Sequence, residues 1–212
     1  MNIISHRGYW KHKSEKNTIK AFERSVSEGF GIETDVRDCC GQLVVSHDIP
    51  KKSDDLIPFN SLLEMFELRT NRNAVMAINV KSDGITDLLA QAIKTYGLEK
   101  YFTFDMSIPS LYFSYQPSSL RFFSTVNEFV KKPILFERCN GIWMDAYSKI
   151  WFNIEDIFDY LKQGKDVCLV SPELHNREFL PLWKLIRDSK LFLHEGFSIC
   201  TDLPAEAREY FV

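Results

Sequence analysis

Gly31-Ile32-Glu33-Thr34-Asp35-Val36-Arg37 is the stretch on which the reading of this chain turns. It is β-rich, and side chains alternate faces along a strand, so Glu33 and Asp35 point the same way. The run before it, Ile3-Ile4-Ser5-His6-Arg7-Gly8, ends on an imidazole and a guanidinium. The run after it, Leu43-Val44-Val45-Ser46-His47-Asp48, ends on a second imidazole. Two carboxylates, two histidines and an arginine at neighbouring strand ends are the groups that metal-assisted work on a phosphate requires.

The same rhythm runs through the rest of the chain. Candidate strands are Asn2–His6, Gly31–Arg37, Leu43–Ser46, Val75–Lys81, Tyr101–Asp105, Leu120–Ser124, Gly141–Asp145, Val167–Ser171 and Phe197–Thr201. Leu43–Ser46 follows its predecessor so closely that it reads as a hairpin partner, which leaves eight strands. Helical stripes lie between several of them. Asn17 is read as the N-cap of a helix burying Ile19, Phe22 and Val26 and stopped by Gly29. Ile85, Leu88, Leu89, Ala92, Ile93 and Tyr96 form a second stripe, Ile154, Ile157, Phe158 and Leu161 a third, and Phe179, Leu182, Trp183 and Ile186 a fourth. The connectors Ser107–Tyr115 and Thr125–Val130 have room for single turns only.

Strands alternating with helices imply parallel pairing and right-handed crossovers. The expected fold is therefore α/β, a compact (β/α)8 TIM barrel over residues 1–212 as one domain, with a short β-hairpin insertion after strand two. An open doubly wound sheet is the alternative.

The totals limit what such a barrel can do. The chain has 212 residues, 45% apolar and 14% aromatic, and its 26 basic and 29 acidic residues leave a net charge of −3. That balance offers no general attraction for nucleic acid or an anionic membrane, so any phosphate recognition must be local. Cys39, Cys40, Cys139, Cys168 and Cys200 are odd in number and show no CxxC spacing, which reads as reduced thiols. With no basic, apolar leader and no run long enough to span a bilayer, the expectation is a cytoplasmic protein without membrane insertion.

In a barrel the C-terminal strand ends meet on one face. His6, Arg7, Glu33, Asp35, His47, Asn79, Lys81, Asp105, Asp145, Glu173, His175 and Asp202 all fall at or just beyond such ends. Glu33 and Asp35 are hard oxygen donors suited to Mg²⁺ or Ca²⁺; the plainer reading is a solvated edge in which Glu33 pairs with Arg7 or Arg37. His6 and His47 are natural acid and base, and either could instead be bonded to a backbone carbonyl. Arg7 and Lys81 can offset the charge of a phosphodiester, or form ion pairs with Glu33 and Asp35.

These residues also carry a family likeness. His6-Arg7-Gly8, Asn17-Thr18-Ile19-Lys20-Ala21-Phe22, Gly31-Ile32-Glu33-Thr34-Asp35-Val36 and Gly41-Gln42-Leu43-Val44-Val45-Ser46-His47-Asp48 resemble, in order and spacing, the glycerophosphodiester phosphodiesterase family of phospholipase-C-like TIM barrels. Weaker echoes follow at Asn79-Val80-Lys81, Phe104-Asp105 and Thr201-Asp202-Leu203-Pro204. The resemblance implies a phosphoric diester hydrolase acting on a small phosphodiester, with His6 and His47 in acid–base catalysis, Arg7 and Lys81 on the phosphate, and Glu33 and Asp35 holding a divalent cation, Mg²⁺ or Ca²⁺. It also implies a third carboxylate ligand where this chain has Asn79; the Asn79 amide oxygen can still ligate a hard cation beside Glu33 and Asp35 but brings no charge, which Asp83 or Asp105 could supply. Lys16 stands where the family commonly has a glutamate, and Glu15 is one position off. Strand seven ends atypically, so Glu173 and His175 are possible substrate contacts of a divergent subgroup, as is Asp105 at the end of Tyr101–Asp105. A lyase-type enzyme that stops at a cyclic phosphate, and a non-catalytic barrel binding a phosphodiester ligand, are the alternatives.

Overall fold

The computed structural model describes residues 1–51, 55–69 and 74–211. Ten strands form one sheet: β1 Asn2–His6, β2 Gly31–Cys39, β3 Gln42–Val45, β4 Ile57–Pro58, β5 Met76–Val80, β6 Tyr101–Phe104, β7 Phe123–Val126, β8 Gly141–Met144, β9 Asp166–Val170 and β10 Phe197–Thr201. The helices are α1 Ile19–Ser27, α2 Phe59–Arg69, α3 Thr86–Thr95, α4 Ile108–Ser110, α5 Ile154–Lys162, α6 Leu180–Asp188 and α7 Pro204–Tyr210.

Parallel pairing runs β6-β5-β2-β1-β10-β9-β8-β7. A single parallel bridge, Thr103 to Phe122, closes the remaining gap, so eight strands make a barrel. β3 returns antiparallel on the outer half of β2, pairing Val36 with Val45 and Cys39 with Gln42, and β4 pairs with β3. The expected barrel and its hairpin are both present.

Alternation sorts the side chains into two bodies. Ile4, Ala77, Phe102, Phe104, Phe123, Trp143, Cys168, Val170 and Cys200 fill the interior, while Phe22, Ile32, Ile78, Ile142, Leu182 and Trp183 belong to the larger shell between strands and helices. Phe102 stacks on Phe123 and Phe104 on Trp143, each at 3.8 Å between ring centroids. These rings pack inside the barrel, and Phe104 and Trp143 give the mouth a solid floor.

Three sequence readings need correction. The fifth barrel strand begins at Phe123, not Leu120, because its ladder with β8 starts at the Phe123–Gly141 pair. Close packing there requires glycine: a Cβ on Gly141 would sit 2.5 Å from the Asp166 carbonyl and 2.6 Å from the Phe123 ring. The N-cap of α1 is Thr18, whose hydroxyl accepts from Ala21 N at 3.3 Å. Asn17, at φ 57°, is released for a different task described below. β4, α2 and α7 were not anticipated.

Candidate active site

β1 ends in two left-handed residues, Arg7 (φ 56°) and Gly8 (φ 82°). The turn directs His6 over the mouth and brings Arg7 N within 3.1 Å of Glu33 Oε2, to which it donates. Gly8 packs directly on α1, where a Cβ would meet Ala21 Cβ at 2.8 Å. The register then places the remaining groups: His6 lies level with Glu33, and Asp35 level with Asn79.

His6, Arg7, Glu33, His47, Asn79, Lys81, Asp105, Asp145, Tyr147 and His175 line one cavity of about 350 Å³ over the Phe104–Trp143 floor. Asp35 lies beneath its wall, fully buried. Arg7 Nε stands 2.9 Å from Asp35 Oδ2, without an aligned hydrogen bond, and Lys81 Nζ stands 3.5 Å from Asp35 Oδ1. Asn17 Nδ2 donates to Asp35 Oδ2 at 2.9 Å, which is why Asn17 is not available as a cap. Burial first, and then the neighbouring Asp35 charge, push the Glu33 carboxyl well above its ordinary value.

A divalent cation fits this donor set. Asp35 Oδ1 and Asn79 Oδ1 are both buried acceptors with no hydrogen-bond partner, and such orphans are costly unless a bound ion or water satisfies them. Two acidic residues packed together out of water favour a hard cation as counter-charge. Among the described residues, no group of three or more His, Cys, Asp or Glu is arranged to hold a metal, and a cation held here would need the Asn79 amide oxygen as a third donor.

His6 Nδ1 is 2.7 Å from Asp202 Oδ1, leaving Nε2 free toward the cavity, 3.9 Å from Glu33 Oε2. Desolvation lowers the His6 pKa, against the pull of Asp202, and so favours the uncharged ring. A carboxylate on Nδ1–H and a lone pair on Nε2 make a base oriented into the site. Lys16 shares Asp202, at 3.3 Å, and stacks over Trp10. Glu15 does not replace the family's glutamate, since it pairs with Lys20 and Arg24 outside the cavity. His47 is 48% exposed and bonds Asp48 at 2.8 Å. Arg37 holds it in place by donating to the His47 carbonyl at 3.0 Å and the Lys81 carbonyl at 2.7 Å.

Glu173 is not in the cavity. Its carboxylate accepts from the Ser171 and Thr201 hydroxyls and from Asp202 N, bracing the end of β10 and hence the partner of His6. Asp83 likewise turns away and accepts from Ser107. His175 does line the cavity, with Nε2 at 2.7 Å from Asp145 Oδ1. That hydrogen bond raises the His175 pKa above its ordinary 6.5. The sign follows directly: the pair contributes stability fully below that ordinary value and loses it as pH rises through the elevated folded value. His175→Ala is therefore expected to lower the melting temperature more at about pH 6 than at about pH 9. Equal deficits in thermal melts at the two pH values would show that only packing had been lost.

No family model and no curated protein sequence matches the chain. Solved structures do. A glycerophosphodiester phosphodiesterase from Agrobacterium tumefaciens superposes with a TM-score of 0.70 at 16% identity, covering 100% of this chain and 99% of that one. One from Thermotoga maritima gives 0.68 at 18% identity, covering 98% and 97%. An Oleispira antarctica phosphodiesterase in complex with the product sn-glycerol-3-phosphate gives 0.68 at 14% identity, covering 99% and 96%. The fold is thus the TIM barrel of the glycerophosphodiester phosphodiesterases, matched end to end.

Proposed function

We propose that this chain is a divalent-cation-dependent phosphodiesterase that hydrolyses a glycerophosphodiester or a similar small phosphodiester. The observation that carries the reading is one cavity holding a carboxylate-anchored histidine beside Arg7, Lys81 and the unpartnered Asn79 Oδ1, with the equally unpartnered Asp35 Oδ1 buried beneath its wall. Arg7 and Lys81 would hold the phosphoryl group electrostatically, Arg7 with the planar fork that suits phosphate oxygens. His6 Nε2 takes the proton of the attacking hydroxyl, from water or from the substrate's own alcohol, and passes no charge to Asp202, which only fixes the ring. His47, at the open rim and bonded to Asp48, returns a proton to the departing alkoxide. Glu33, Asp35 and Asn79 would hold Mg²⁺ or Ca²⁺, whose charge stabilises the phosphoryl oxygens as negative charge grows. Asp105 and His175 face the alcohol from the opposite wall.

No helix among the described residues is long and apolar enough to cross a membrane. None of the five cysteines is in a disulfide, which supports a reducing, cytoplasmic setting.

The test is hydrolysis of soluble glycerophosphodiesters and of an aryl phosphodiester with Mg²⁺ and with Ca²⁺. Turnover that chelator abolishes and either cation restores is expected, and phosphorus NMR then separates a linear monoester from a cyclic product. Absence of turnover with every substrate and cation would reject the enzymatic reading in favour of the binding barrel.

A further inference from the structure

Among the described residues, eleven large apolar side chains lie exposed, and six of them sit on three consecutive loops at the barrel mouth. Ile108, Tyr112 and Phe113 lie on the segment leaving β6, Phe129 and Val130 on that leaving β7, and Tyr147 on that leaving β8. Scattered exposed apolar residues need no explanation; a concentration on one arc does. Phe113 is 75% exposed and Phe129 80%.

The arc is built rather than loose. Asn127 Oδ1 accepts from Phe129 N and Val130 N, and Asn127 N donates to Val130 O, a closed turn that sets Phe129 at its tip. Glu128 ties the next loop to it, accepting from Tyr147 N, Ser148 N and Ser148 Oγ. Thr125 donates to Asp105 at 2.9 Å and joins the loop leaving β6. Basic residues interleave with the rings: Phe129-Val130-Lys131-Lys132 and Tyr147-Ser148-Lys149, with all three lysines exposed.

We infer that this arc of the mouth docks on the surface of an anionic phospholipid bilayer. Aromatic and aliphatic tips enter the headgroup boundary, while the lysine heads stay at headgroup level and meet anionic lipid. Charge selects this occupant at the tips: Lys131, Lys132 and Lys149 stand exposed beside Phe129 and Tyr147, while the Glu128 carboxylate there is turned onto Tyr147 N and Ser148. Adsorption of this kind needs no spanning segment. If the catalytic reading above also holds, the mouth would take its phosphodiester at the bilayer surface.

The experiment is co-sedimentation of the full chain with vesicles of phosphatidylglycerol and, separately, of phosphatidylcholine. Partition to phosphatidylglycerol is expected to be stronger on the order of tenfold or more, and to fall when salt is raised from about 0.1 M to about 0.5 M. A Phe113→Ser/Phe129→Ser variant should stay in the supernatant while keeping its thermal melt and its hydrolysis of a soluble diester. Lys131→Glu/Lys132→Glu should lose the preference for anionic vesicles. Wild-type protein that ignores both vesicle types, or a serine variant that pellets as well as wild type, would overturn the inference. So would self-association in solution that the serine variant abolishes without any vesicle binding. Soluble-diester turnover, measured in parallel, reports on the catalytic reading separately.

Discussion

His6→Ala is expected to lower kcat on a soluble diester by about 10²–10⁴-fold, the usual worth of a positioned proton-transfer group. The loss should be catalytic rather than structural. Asp202, the partner of His6, keeps Lys16 at 3.3 Å when the imidazole is gone, so no buried charge is stranded. Thermal melts of wild type and variant should therefore nearly coincide. His47→Ala should be as damaging to turnover and still gentler on the fold, because the ring is 48% exposed. Asp202→Asn separates positioning from proton transfer: it should cost less than His6→Ala and should also shift the pH profile, since the amide no longer favours the tautomer with Nε2 free. Full activity in both alanine variants would remove the two histidines from the mechanism.

What the sequence allowed, and what it withheld, follows from the range of the interactions. Glu33 and Asp35 were readable because strand alternation is local, and one β-run suffices to place both on the same face. The hairpin was readable because the two β-runs lie so close together around Gly41; the turn itself is Cys40-Gly41, between the paired Cys39 and Gln42. The His6–Asp202 bond spans 196 positions and exists only because closure sets β1 beside β10; no local pattern announces it. Glu173 was misplaced for a similar reason. It follows a strand end, as a mouth residue should, but the short turn Pro172–His175 rotates it back onto Thr201 and Asp202. Arg37 was visible only as a charge near Glu33, and its role appears once the hairpin brings the His47 and Lys81 carbonyls together. For α2 the signal existed: Phe59, Leu62, Leu63 and Phe66 are spaced for a helix and all are buried.

Asn79→Glu and Asp35→Ala should act in opposite directions on the same donor set, and the pair tests it without any assay of turnover. Asn79 lies level with Asp35 on the adjacent strand, so a carboxylate there adds a third acidic group to two that are already buried. Without cation the variant should melt well below wild type, since like charges out of water repel. With saturating Mg²⁺ or Ca²⁺ it should recover and bind more tightly than wild type, as affinity for hard cations rises with the number of charged ligands. The gain in melting temperature on adding cation must then exceed that of wild type, because ligation stabilises with the logarithm of cation concentration over its dissociation constant. Asp35→Ala removes a donor and leaves Arg7 and Lys81 facing a neutral wall. Breaking a buried pair from one side costs up to about 3–5 kcal/mol, and less here because both cations keep some solvent contact. That variant should be destabilised and indifferent to cation. A cation response unchanged in both variants would place the ion elsewhere, and the two orphaned oxygens would then need another partner.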